Sequence, residues 1–87
     1  MKDLKRVLQR YLRQRVCSFR KQHSLTQEEM AEILHVAPRS YADQERGIYG
    51  FSALSFLYFL FLLSDSEILD LLRDLREVLK GGEEDAA

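Results

Sequence analysis

Residues 25–47, LTQEEMAEILHVAPRSYADQERG, carry two short helical patterns joined by a tight turn, and this layout decides how the chain is read. Thr26 is placed to N-cap the first helix by accepting a backbone N–H one turn on. Glu29, three residues later, completes a capping box. Glu28 and Glu29 sit where the helix dipole favours negative charge. Met30, Ala31, Ile33 and Leu34 supply an apolar stripe, and Leu25 is placed to staple the helix start. Ala31 is small enough for a second helix to cross closely.

The first helix should end near Leu34-His35, with Val36 as the apolar anchor of the turn. Pro38 opens the second helix, because proline suits a first helical position, and it biases Ala37 away from helical angles. This helix should run to about Arg46, with Gly47 as its C-terminal cap. Tyr41 is its expected core contact, and Ala37 and Ala42 look like close-packing positions. Together the two helices read as a helix-turn-helix over about residues 26–46, a motif that lays its second helix in the major groove of DNA.

The segment resembles the phage-repressor and Cro-like helix-turn-helix family, also called XRE-type. That family's pattern is roughly Leu-Ser/Thr-Gln-Glu-Glu-Leu-Ala, a turn, and a helix closing on Glu-x-Gly. This chain has Leu25-Thr26-Gln27-Glu28-Glu29-Met30-Ala31 and Glu45-Arg46-Gly47 at the matching separation. With the flanking helices, the resemblance covers roughly residues 10–75. It implies an all-α, five-helix, lambda-repressor-like DNA-binding domain with the motif at helices 2 and 3.

The resemblance also implies roles. Gln27 matches a position that contacts a DNA phosphate, and Pro38, Arg39 and Asp43 match positions that face base edges. Arg46 and the loop 48–50, Tyr49 among it, match a backbone-contacting region. Arg20 and Glu45 match a pair that forms a buried structural salt bridge. Two residues depart from the pattern. Pro38 stands where relatives often carry a polar base-reader, and His35 replaces a frequent turn glycine at a position that is usually left-handed.

The chemistry of these residues supports the same roles. The Arg39 guanidinium can bond guanine O6 and N7 together, worth about 1–3 kcal/mol of discrimination. Asp43 can accept from cytosine N4 or pair with Arg39 at i, i+4. Ser40 and Gln27 can donate to phosphates, Gln27 with help from the positive end of its helix.

Length and composition favour one small helical domain over residues 1–80, followed by an acidic tail over 81–87 that is expected to be disordered. Beta-branched alternation is nearly absent, so no sheet is expected. Cys17 is the only cysteine, which excludes an internal disulfide and fits a reducing cytoplasm. His23 and His35 lack metal-ligand spacing, so no metal or cofactor is expected. The charged N-terminus does not read as a signal peptide, and the expected location is cytoplasmic, on the nucleoid. Residues 1–47 hold ten Lys/Arg and six Asp/Glu, whereas residues 48–87 hold three and eight. A basic half joined to an acidic half suits a protein that meets a polyanion on one side.

Residues 2–22 read as one long amphipathic helix. Lys2, Arg6, Arg10, Arg13 and Arg20 fall on its polar side, where some can reach phosphates. It begins earlier than the first helix of typical relatives. Arg15 projects toward the apolar face, where a charge needs a partner.

Ser52 should begin a fourth helix. From Ala53 to Leu63 only Ser55 is not apolar, and 11 residues are too few to span a bilayer, which takes about 20. Its outer face is expected among Phe56, Tyr58, Phe59, Phe61 and Leu62. Asp65 or Ser66 should cap a fifth helix, whose Ile68, Leu72, Leu75 and Leu79 follow coiled-coil spacing. Helices four and five, about residues 52–79, are therefore expected to form a homodimer through Phe56, Phe59, Ile68, Leu72, Leu75 and Leu79. The alternative is that helix five closes the monomer core.

Two functions follow. The first is a homodimeric regulator of transcription, most simply a repressor, reading an inverted repeat in double-stranded DNA. The second is an antitoxin-like or anti-repressor adaptor that uses the same scaffold to bind a protein through helices four and five. An enzyme is not expected, since no phosphate loop, metal cluster or nucleophile–base pairing is visible.

Overall fold

Tyr41 and Phe59 are the largest side chains sealed from solvent, and the helices are arranged to cover them. The computed structural model describes residues 4–86, with side chains through 81. It contains α1 (Leu4–Gln22), α2 (Gln27–Ile33), α3 (Pro38–Glu45), α4 (Ala53–Leu60) and α5 (Asp65–Ala86), with no strand among the described residues. One core gathers Leu12 and Val16 from α1, Met30, Ala31 and Leu34 from α2 and its C-cap, and Tyr41 from α3. Phe51, Phe59 and Leu71 complete it from the loop, α4 and α5. α1 packs along α5 and against α3, and α2 packs against α3.

The helix starts follow the sequence closely. Thr26 Oγ1 accepts the Glu29 N–H at 3.0 Å while Glu29 Oε1 accepts the Thr26 N–H at 2.8 Å, which completes the capping box of α2. Ala37 is extended at φ −66°, ψ 144°, and Pro38 opens α3. Ala37 is exposed, however, so its small size is not a packing requirement. The cap of α5 is Ser64, not Asp65 or Ser66. Ser64 Oγ accepts the Glu67 N–H at 3.3 Å, and Glu67 Oε1 accepts the Ser64 N–H at 2.9 Å, a second capping box.

The helix ends share one device. α1, α2 and α3 each close with a left-handed residue, Ser24 (φ 54°), His35 (φ 60°) and Gly47 (φ 81°). In each case the next N–H turns back onto the last helical turn: Leu25 to Arg20 O (2.9 Å), Val36 to Ala31 O (3.0 Å) and Ile48 to Asp43 O (2.9 Å). These are Schellman closures. At His35 the ring stacks on Tyr58 of α4, with centroids 4.0 Å apart and planes at 25°, and this contact offsets the left-handed strain.

Gly47 combines the strain with crowding, because a Cβ there would stand 2.6 Å from Arg13 Nη1. The guanidinium is the free end of a flexible chain and can swing aside, so the backbone strain remains as the main cost. Gly47→Ala is expected to lower stability by about 1–2 kcal/mol in urea denaturation. A change below about 0.3 kcal/mol would mean that the left-handed closure is not required.

α4 differs from expectation in which face it turns outward. Phe59 is 1% exposed, lies in the core and meets Phe19 edge-on with centroids 5.6 Å apart. It therefore cannot serve a dimer contact. Phe56, Tyr58 and Leu62 also pack against the core. The outward residues are Leu54, Leu57 and Phe61, spaced i, i+3, i+7.

The physical reason is Ser55. It is the only polar residue of the run, yet it is 3% exposed, and it is satisfied by a 3.2 Å hydrogen bond with Ser52 Oγ. A small hydrogen-bonded residue faces inward here, so polarity misreports the phase of the helix.

α5 docks on the monomer through Leu71, which is fully buried, with Ile68, Leu75, Val78 and Leu79 partly covered. Leu75 and Leu79 line a cleft with Leu8, Leu12, Phe51 and Phe56. Of the expected seam residues only Leu72 faces outward, beside Leu69. The Tyr11 hydroxyl donates to Leu71 O at 3.4 Å and to Asp74 Oδ2 at 3.5 Å. Asp74 also supplies the partner of Arg15, at 4.0 Å. The helical backbone continues beyond residue 80 to Ala86 where a disordered tail is expected, since extending a formed helix adds one bond per residue fixed.

Candidate nucleic-acid interface

The start of α3 protrudes from a base tied together by one carboxylate. Glu45 Oε2 accepts from Arg20 Nε at 2.6 Å and from the Tyr41 hydroxyl. Glu45 Oε1 accepts from Arg20 Nη2 at 3.2 Å and from Gln27 Nε2 at 2.9 Å. Arg20 Nη1 donates to Leu25 O at 3.0 Å. The Arg20 and Glu45 side chains are only 16% and 9% exposed. Each carboxylate oxygen thus has two donors, drawn from α1, α2 and α3, and the three helices are locked in relative position.

Burial alone would push the Glu45 carboxyl up. The hydrogen bonds from Arg20, Tyr41 and Gln27 outweigh burial and hold it below the ordinary value of 4.5. Burial, reinforced by the hydrogen bond to Glu45, raises the Tyr41 hydroxyl.

On this base Pro38, Arg39 and Ser40 are all exposed. No side chain caps the α3 N-terminus. Arg39 stands outside every hydrogen bond and ion pair among the described residues, and Asp43 is not its partner. Asp43 pairs with Arg46 at i, i+3 and its side chain is only 16% exposed. The alternative i, i+4 pair with Arg39 does not form, and Asp43 is drawn toward the C-terminal end of the helix. Gln27 is exposed and gives one of its two amide N–H groups to Glu45, which leaves the other for a phosphate. The expected readers and phosphate contacts therefore divide into a free group, Pro38, Arg39, Ser40 and Tyr49, a mutually paired group, Asp43 and Arg46, and Gln27, which is half-engaged.

The loop after α3 is fixed by residues that the sequence did not single out. Gln9 Oε1 accepts the Phe51 N–H at 2.7 Å, and Gln9 Nε2 donates to Phe51 O at 3.3 Å. Gln44, almost fully buried, donates to Gly50 O at 3.5 Å. A Cβ on Gly50 would meet Gln9 Cδ at 2.7 Å, so glycine is what allows α1 to grip the loop. Ile48 and Tyr49 are pushed outward, 57% and 64% exposed. A glutamine on a helix face carries no sequence signal for such a clamp.

Among the described residues no helix is long and apolar enough to cross a membrane, and no cluster of His, Cys, Asp and Glu is gathered as metal ligands. No family model, no curated protein and no solved structure matches this chain.

Proposed function

We propose that the chain is a sequence-specific DNA-binding regulator of transcription, a repressor that binds an inverted repeat as a homodimer. In this reading α2 and α3 are its helix-turn-helix. The observation that carries the reading is Arg39, an unpaired guanidinium at the protruding start of a helix whose other end is held by the Arg20–Glu45 network. An arginine so placed can read guanine in the major groove. Tyr49 and Ser40 are free to contact the sugar-phosphate backbone, and Arg46 can do so after leaving Asp43. Two copies join through the outward residues Leu54 and Leu57 of α4, Phe61 at its C-cap, and Leu69 and Leu72 of α5. Two-fold symmetry then sets the recognition helices about one DNA turn apart.

The test is selection from random-sequence DNA at low and moderate salt, beside Arg39→Ala. The expected result is an inverted repeat that the wild type enriches and whose defining base blurs in the variant, at a cost of about 1–3 kcal/mol. No enrichment at either salt by folded protein would remove the reading.

A second reading, a protein-binding adaptor, is favoured by the apolar face of α4 and by the pairing of Asp43 within the fold. A flat salt dependence of binding to any duplex would point to it.

A further inference from the structure

α1 carries a charged feature that base reading by α3 does not use. Arg6, Arg10 and Arg13 on α1 line a single open concavity of about 280 Å³ with Gln9, Arg46 and Gly47. Among the described residues no carboxylate lines it. Asp43 reaches its wall only through the pair with Arg46. Arg13 is half-buried, and its guanidinium lies against Gly47 where any other residue would place a Cβ. Gly47 thereby keeps the wall low and lets Arg13 close on the end of α3.

Of the lining arginines, Arg10 and Arg13 bring positive charge to a concavity that no carboxylate lines among the described residues, and an anion held there is attracted to both. Their planar forks of N–H donors match the oxygens of a phosphate. The concavity adjoins the loop 48–50, whose exposed Ile48 and Tyr49 flank the same end of α3.

We infer that this concavity is a phosphate site and that it takes a backbone phosphate of the duplex bound by α3. The choice of duplex rests on the DNA-binding reading, whereas the phosphate chemistry does not. The site positions without reading sequence, so it adds affinity and salt dependence equally to all sequences.

The test compares wild type, Arg10→Gln and Arg10→Gln/Arg13→Gln on specific and scrambled duplexes across a salt series. Arg10 is exposed, so the single variant folds even if Arg13, which is half-buried, cannot be replaced. The expected result is an affinity loss of about tenfold for the double variant. The slope of log K against log salt should be shallower by about 0.9 for each phosphate that is no longer neutralised. Both changes should be the same on the two duplexes. Titration with inorganic phosphate, followed at the Gly47 amide by NMR, forms the second arm.

If wild type binds duplex and the variants keep its slope, the phosphate site is overturned and DNA binding stands. If wild type binds no duplex yet phosphate shifts Gly47 in wild type alone, DNA binding falls and the site serves a free phosphoryl ligand. Silence in both arms overturns both.

Discussion

Phe59→Ala is expected to cost about 3–5 kcal/mol of stability, whereas Phe61→Ser, two residues on, should change it by less than about 0.5 kcal/mol. Phe59 is 1% exposed in the core and Phe61 is 75% exposed. Truncating Phe59 removes its burial and leaves a cavity against Phe19, and the surrounding helices relax only in part. A domain of this size holds roughly 0.05–0.15 kcal/mol per residue, so the loss takes about a quarter of the total or more. The check is urea denaturation at a fixed, low protein concentration, because any dimer adds concentration-dependent stability. If the proposed homodimer forms, Phe61→Ser made together with Leu57→Ser should instead shift sedimentation from dimer toward monomer. Equal stability losses at Phe59 and Phe61 would mean that α4 is rotated from the orientation described.

The contrast between these two phenylalanines marks the limit of what the chain discloses. The starts and stops of α2 and α3 were legible, because Thr26, Glu29, Pro38 and Gly47 act through local backbone chemistry. The Arg20–Glu45 geometry agrees with the pairing that the family resemblance implies. α4 was not legible in the same way. In a run that is apolar on every side the phase must come from its few exceptions, and Ser55 is an exception that points inward. α5 misleads for a related reason. Leu71 stands one residue off the heptad seam, yet it is the residue fully buried in the core, so the stripe that looks like a dimer seam partly closes the monomer. The left-handed Ser24 and the Gln9 clamp depend on contacts beyond their own segment, and no periodicity reports them. For the candidate interface, residue identity named the exposed Arg39. It could not show that Asp43 pairs with Arg46 or that Gln27 gives one N–H to Glu45.

Arg20→Ala is expected to cost about 3 kcal/mol at neutral pH, and the loss should shrink in acid. Removing Arg20 leaves Glu45 mostly buried with donors from Tyr41 and Gln27 but no opposing charge. An uncompensated buried charge is the costly outcome, more than the loss of the attraction itself. In the wild type the Glu45 carboxyl sits below 4.5 in the folded state, so the folded protein binds fewer protons than the unfolded chain. The stability it contributes is complete above that value and drains away as pH falls through the folded pKa. Without Arg20 two of the lowering influences vanish while burial remains, so Glu45 takes up a proton at higher pH. The variant can then neutralise the group that destabilises it, and the wild type has more to lose. Urea denaturation of both proteins at pH 7 and pH 3 should therefore show a gap that narrows on acidification. A gap that stays constant would place the cost of the substitution in lost side-chain packing. Because Glu45 closes α3 and Gln27 opens α2, the same variant should also weaken any DNA binding while leaving Arg39, which touches none of these groups, chemically intact.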